Sequence, residues 1–428
     1  MNINKVNLNT ERTVYPTDFG LIDGLDSYNP GKINKEIEDT YINEEKVPEE
    51  GQKKKWLVIL YSAGDNNLAS YLFKDINELE SVGSDNSTHI LTIADQGKQW
   101  NAAFKDAKIF YLKKDSDMNK INSPLVKNLG QVNTADPKFM ASAISEIMKR
   151  FPADHVAIII GDHGAGWQGA IEDEGNHKFM SLPEIREALE EIYKKTGKRI
   201  DVLAFDACLM AMAEVGYELK NTVKYMVASE ETEGGSGYNY NIIFSKAIKD
   251  AISNLQQAAL FKVNIDPEEF AKIIVESAKE YSNDIQTISA VDLDKVNNLV
   301  SKIDEFAKLL ISKTNSKEDV QKIKDKITKT QNFSIDSYRD LYHFAKLIYE
   351  DNSISEDLRN KAKEVIDAIN SYIINEFSND QYKDAYGVSI ELPSYGNIAP
   401  EYNNTQFAKD TSWDEMIAKL NKADTKTA

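Results

Sequence analysis

The sequence predicts an α/β fold, a mainly parallel sheet with helices on both faces, followed by a mostly helical C-terminal region. Three observations predict it. Six short runs rich in β-branched and aromatic residues lie between residues 56 and 229. Stretches with helical spacing of apolar residues separate several of them, and strands that alternate with helices build parallel sheets. Beyond about residue 255 the apolar period becomes helical almost throughout.

Residues 1–52 stand apart. They carry eleven acidic and five basic residues, with many Asn, Thr, Gly and Pro and no sustained period. Such a segment buries too little apolar surface to fold alone, so it reads as an irregular leader lying across the folded part. Residues 53–255 read as the core and 256–428 as the C-terminal region.

The expected core strands are Trp56–Ala63, His89–Asp95, Asp106–Leu112, His155–Gly161, Asp201–Ala207 and Tyr225–Ser229. Helical patterns cover Leu68–Glu80 and Pro137–Arg150, with Asp65 or Asn66 suited to cap the first. In SLPEIREALEEIYKK, Ser181 and Glu184 form a capping box. In DPEEFAKIIVESAKEY, Asp266 caps, Pro267 takes the first helical position and Glu269 closes a second box. Amphipathic runs follow at Leu299–Ser312, Lys317–Thr328, Leu341–Glu350 and Glu356–Phe377. Two β-like runs, residues 287–293 and 386–393, return to the sheet edge or form a small sheet of their own.

Composition narrows the function. A net charge of −18 opposes nucleic-acid binding and attraction to anionic lipid. No apolar run is long enough to span a bilayer, so membrane insertion is not expected. The one cysteine, Cys208, rules out an internal disulfide and a multi-cysteine zinc site. The first residues lack a signal-peptide core, leaving two expectations: a cytoplasmic protein, or a secreted one whose signal has been removed.

The stretch VAIIIGDHGAGW runs from an apolar strand into Gly-Asp-His-Gly, which puts His163 at a strand's C-terminal lip. Ligands bind at that lip in open α/β sheets. In DVLAFDACLMAMAEVGYEL, Cys208 ends another strand and precedes a helix expected from Leu209. A helix N-terminus there would favour the thiolate. One helix separates the two strands, which fits a single crossover between neighbours. A lone cysteine is most often inert packing and a lone histidine most often a satisfied structural one. Two strand ends one crossover apart make them a nucleophile and base. The N–H groups of Gly164 and Cys208 can hold the oxyanion of an attacked carbonyl.

These residues carry a resemblance. LYSAGDNNL (60–68), IIGDHGAGW, FDACLMAMAEV and ASEETEGGSGYNY (228–240), with the later YGVSIELP, resemble the clostripain family of cysteine peptidases, relatives of caspases, gingipains and legumains. The resemblance implies a caspase-like α/β/α sandwich and secreted, cell-surface or extracellular endopeptidase activity on proteins and peptides after Arg or Lys. It makes His163 and Cys208 the dyad, with no cofactor needed for the chemistry. Asp206 matches the acidic residue of the pocket for the basic P1 side chain, against the alternative of a helix cap. Asp162 stays outside the dyad, because adjacent strand residues point to opposite faces. Glu230, Glu231 and Glu233 can add charge to the pocket, with two of the three expected to be solvated. The glycines of Thr232–Tyr238 permit a mobile flap. The GDNNL block is assigned structure, not chemistry.

Family members also mature by self-cleavage between the histidine and the cysteine. Lys178, in what reads as a polar loop, is the matching candidate, giving a monomer of two chains. Lys53, Lys54 and Lys55 offer sites for removing the leader. Calcium enters as a structural or activating ion by resemblance to clostripain; Glu172, Asp173 and Glu174 offer oxygens but form no recognised calcium loop, and no metal ligand is assigned. Two rival readings remain: a metal-dependent hydrolase using Asp162, His163, Asp173 and His177, and a caspase-like binding protein without turnover.

Overall fold

Five parallel strands form the centre of the fold because their sequences are apolar on both faces. The computed structural model describes residues 49–97, 104–249, 265–281 and 284–422. The leader expected at 1–52 lies almost wholly outside the described residues.

Strand β1 (Lys54–Gly64) leads through α1 (Ala69–Val82) to β2 (Thr88–Gln96), and β3 (Ala107–Tyr111) and β4 (Leu125–Gly130) follow. Helix α2 (Pro137–Arg150), capped by Asp136, returns the chain to β5 (Ala153–Gly161). A ribbon of β6 (Gly169–Asp173) and β7 (Lys178–Ser181) precedes α3 (Leu182–Thr196). Then come β8 (Ile200–Asp206), α4 (Ala213–Leu219), β9 (Val223–Ala228), α5 (Tyr240–Lys249), α6 (Pro267–Tyr281) and β10 (Thr287–Asp292). The remainder is α7 (Val296–Lys313), α8 (Lys317–Lys329), β11 (Tyr338–Asp340), α9 (Leu341–Tyr349), α10 (Glu356–Tyr372), β12 (Ile373–Ser378), β13 (Ser389–Glu391), α11 (Gln406–Asp410) and α12 (Trp413–Lys422).

The main sheet runs β12-β10-β9-β8-β5-β1-β2-β3-β4. Strands β9, β8, β5, β1 and β2 are mutually parallel, and the two strands at each edge are antiparallel. Alternation along the central strands splits the core into two layers. Leu57, Ile59, Ile158, Ile160, Leu203 and Phe205 pack on one face, and Val58, Leu60, Ala157, Ile159, Val202 and Ala204 on the other. The capping box of Ser181 and Glu184 forms as expected, and Asp266 accepts from Glu269 N. The α/β/α sandwich expected from the sequence is the architecture observed.

Three local readings change. The helical run expected to reach Phe377 stops at Tyr372, where Ile373–Ser378 extends as β12 on the sheet edge. The helix after Cys208 begins at Ala213, not Leu209, because Leu209 takes a positive φ of 68° that breaks the helical path. The connector around Lys178 is an antiparallel ribbon rather than an open loop.

Both β-like runs of the C-terminal region find partners. Residues 289–292 pair with β9 and extend the main sheet, while 389–391 pair with β11 in a small sheet. This second ribbon lies against the core, bridging Ser389 to Met212 just beyond the cysteine.

Candidate active site

Strands β5 and β8 are direct neighbours with Gly161 opposite Asp206, so their C-terminal ends open on one lip. The chain after each strand stays in contact. Asp162 N donates to Asp206 O at 3.3 Å. A Cβ placed on Gly164 would lie 2.3 Å from the Cys208 carbonyl oxygen and 3.1 Å from its nitrogen. Only glycine permits that approach. His163 and Cys208 thus stand on adjoining backbones, as the single crossover predicts. Among the described residues neither Gly164 N–H nor Cys208 N–H donates to a protein acceptor, which leaves both for an oxyanion.

The thiol meets the segment after β9. Glu233 N donates to Cys208 Sγ at 3.3 Å, and Sγ contacts Glu233 O at 3.8 Å. Burial, with the charges of Glu233, Glu231 and Asp206, pushes the thiol up to about 12. Burial lowers His163 to about 4. Both shifts favour the thiol and the neutral imidazole, and the helix expected directly after Cys208 to favour a thiolate begins only at Ala213.

Asp206 is buried beneath the thiol. Its carboxylate accepts from Tyr238 N at 3.1 Å and Tyr240 Oη at 2.6 Å, and burial raises it to about 6. It caps no helix. The Glu233 carboxyl faces it, with no donor to either oxygen, and both burial and Asp206 raise Glu233. Asp75 adds a third buried carboxyl, raised by burial and by Asp206, with one oxygen unsatisfied. Among the described residues no Lys or Arg forms an ion pair with any of these three. Buried uncompensated acids are costly, and a cation entering among them gains correspondingly.

The segment Thr232–Tyr238 is docked rather than loose. Gly234 N bonds Asp284 O, Gly235 packs on the Tyr71 ring, and Gly237 lies against Asp206. Solvation of two of the three glutamates is also overturned, since Glu230 and Glu231 are both buried. The C-terminal region covers them. Glu231 accepts from Ser334 N and Thr232 N, and Glu230 accepts from Gly387 N and faces Asp340. Beyond Glu231 a cavity of about 330 Å³ opens between Phe333, Ser334 and Tyr382.

The same region holds the loops that follow β5 and β8. Tyr338 Oη donates to Ala165 O and Trp167 Nε1 to Glu391, beside the histidine. Ser389 N donates to Ala211 O and Glu391 N to Glu214, beyond the cysteine.

Sequence reading missed the GDNNL block. Buried Asn66 donates to Ala63 O, Asp162 Oδ1 and Glu172 O, and accepts from Leu68 N. Its neighbour Asn67 meets His163 Nε2 at 2.7 Å through Oδ1. Asp162 touches the His163 backbone rather than its ring, as expected, and also accepts from Glu172 N. Glu172 Oε2 lies 3.9 Å from His163 Nε2. Two polar residues after a strand are read most easily as a helix cap, and nothing local reveals a histidine 96 residues away.

Other expectations resolve differently. Lys178 lies in β7, its ammonium 2.7 Å from Glu184. Lys54 and Lys55 fall inside or at the start of β1, with Lys54 buried against Glu49 and Tyr111, while Lys53 stands just before the strand and pairs with Asp154. Asp162, His163, Asp173 and His177 do not gather into a metal-binding group. Glu172, Asp173 and Glu174 diverge: Glu172 faces His163, and Asp173 turns inward to Thr134 and Asn176. Ligand oxygens of Asp65, Asp95 and Asp173 do lie within 4.8 Å of one another, a set of hard donors that suits Ca²⁺. Burial and these neighbouring charges raise Asp95 to about 7.

Comparison with known proteins bears on the family and the fold. The model of the Clostripain family matches residues 60–420. Clostripain of Hathewaya histolytica is 23% identical over 406 residues, covering 80% of this chain and 75% of its own. A secreted C11 cysteine protease from Bacteroides thetaiotaomicron, solved with an irreversible peptide inhibitor, superposes with a TM-score of 0.60 at 20% identity, covering 86% of this chain and 99% of its own. An inactive zymogen C11 protease from Parabacteroides distasonis gives a TM-score of 0.61 at 18% identity, covering 85% and 98%. At these identities the structural likeness speaks for the fold.

Proposed function

Because the chain belongs to the clostripain family of cysteine peptidases, we propose that it cleaves proteins or peptides after Arg or Lys, with Cys208 as nucleophile and His163 as base. One observation carries the specificity: Asp206 and Glu233 are buried beside the thiol with no ion-pair partner among the described residues, and buried Asp75 adds its charge to that of Asp206. A P1 guanidinium or ammonium supplies the missing charge, and the pairing is strongest when Asp206 binds Arg bidentately.

In this reading the imidazole takes the thiol proton as Sγ bonds to the scissile carbonyl carbon. The carbonyl oxygen becomes an oxyanion held by Gly164 N–H and Cys208 N–H. The imidazolium gives its proton to the departing amine, the C–N bond breaks and a thioester remains. Water, deprotonated by His163, then releases the acid and restores the thiol.

The enzyme is made as a self-processed zymogen and acts outside the cell. Support comes from the related proteases, one described as secreted and another as an inactive zymogen. A cut after Lys178 loosens the ribbon whose Glu172 stands beside His163. Mass spectrometry of wild type and Cys208→Ala decides this: a Lys178–Phe179 cut in wild type alone supports self-processing, and the same cut in both contradicts it. Calcium, if bound, takes Asp65, Asp95 and Asp173, where it acts as a structural ion.

A positional peptide library tests the main reading. Wild type should select Arg and Lys at P1, Asp206→Asn should lose that preference, and Cys208→Ala should be inactive. Equal turnover of neutral P1 residues by wild type contradicts it.

A further inference from the structure

We propose that Asn67 is the positioning residue of the base: its amide oxygen accepts the Nε2 proton of His163, which leaves Nδ1 as the lone pair that receives the thiol proton. This inference rests on the Cys208–His163 reading above.

A neutral imidazole carries one proton on two nitrogens, so its partner decides which nitrogen is basic. Asn67 Oδ1 lies 2.7 Å from His163 Nε2, a full hydrogen bond. The nearest carboxylate is too distant for one, with Glu172 Oε2 at 3.9 Å. The amide is itself held in place. Asn66, one residue earlier, is buried and locked to Ala63, Asp162 and Glu172, so the backbone presenting Asn67 is fixed at the strand end. Asn67 is exposed, and holding the histidine is its one hydrogen bond among the described residues. An exposed polar side chain contributes little to stability, and its use here is local to the ring.

The proton path follows. The Sγ proton passes to Nδ1 while Nε2–H stays on Asn67. The imidazolium lies near Glu172, whose carboxylate favours the added charge, and Nδ1–H then goes to the leaving amine. A neutral acceptor holds the ring without fixing a second charge on it, so the imidazole stays basic enough to act and acidic enough to release its proton.

The test compares Asn67→Ala, Asn67→Asp and His163→Ala with wild type on the best substrate of the positional library, with thermal unfolding and ¹⁵N NMR of the imidazole alongside. The expected result for Asn67→Ala is a kcat lower by about 10- to 100-fold, KM within about twofold and an unchanged unfolding temperature. Its ¹⁵N signals should shift from the Nε2–H tautomer towards a mixture. Asn67→Asp should recover part of kcat and move the acid limb of the pH profile upward, because a carboxylate acceptor raises the imidazole pKa. Wild-type kcat in Asn67→Ala, or an unmoved tautomer, overturns the proposal while an inactive His163→Ala leaves the dyad standing. Wild-type kcat in His163→Ala overturns both.

Discussion

The main-chain N–H of Glu233 donates to Cys208 Sγ at 3.3 Å, while the carboxyl of the same residue faces Asp206. One residue thus touches the Cys208 sulfur and faces the buried Asp206 carboxyl. The negative charge around the sulfur also holds the thiol protonated. Under the proposed Arg/Lys specificity a P1 cation relieves that charge, which links occupancy of the pocket to activation of the sulfur.

Neutralising the pocket should therefore activate the thiol in the absence of substrate. Glu233→Gln is expected to lower the pH midpoint of Cys208 alkylation by iodoacetamide by about one unit, as removal of a nearby like charge does. Turnover of Arg substrates should fall in the same variant. An unmoved midpoint would separate the pocket from the nucleophile.

Asp206 titrates near 6 in the fold, raised by burial. It loses its charge as pH falls through that value. kcat/KM for Arg and Lys substrates should decline below about pH 6 because the P1 cation loses its partner. In Asp206→Asn the decline should vanish along with most of the activity. The measurement is a pH–rate profile of both proteins at low substrate.

No side chain fits at residue 164, where a Cβ would meet the Cys208 carbonyl oxygen at 2.3 Å. Gly164→Ala should push the two loops apart and displace an oxyanion donor, lowering kcat by about 10²-fold. Steady-state kinetics with circular dichroism to confirm folding checks this. Near-normal kcat would remove Gly164 N–H from the mechanism.

Glu230 and Asp340 are buried face to face, each raised by burial, with the other's charge adding to Glu230. For acids with raised folded values, the native state binds more protons than the unfolded chain, so their contribution to stability falls as pH rises towards and through those values. Glu230→Gln keeps an acceptor for Gly387 N and removes one charge. It should stabilise the protein by about 1–2 kcal/mol at pH 8 and by less at pH 5. Thermal unfolding at the two pH values measures it.

The sheet centre was legible because β5 and β8 are apolar on both faces, and the switch to Asp-His-Gly and Asp-Ala-Cys marks where each leaves the core. Features that depend on distant packing were not. LMAM after Cys208 suits a helix by composition, yet Leu209 turns to positive φ and Ala211 bonds Ser389 from the far end of the chain. Glu230 and Glu231 read as solvated because the residues covering them, Gly387 and Ser334, lie more than a hundred positions later. The ribbon around Lys178 is polar and short, so its pairing left no apolar alternation to detect. Asn67 carries no local mark of its reach to His163.

The most direct test is mass mapping of the protein after reaction with a peptidyl-arginine acyloxymethyl ketone, beside its norleucine counterpart. The account predicts a single adduct on the Cys208 peptide, formed by the arginine reagent, much slower with norleucine and absent in Cys208→Ala. Labelling elsewhere, or equal labelling by the neutral reagent, would contradict it.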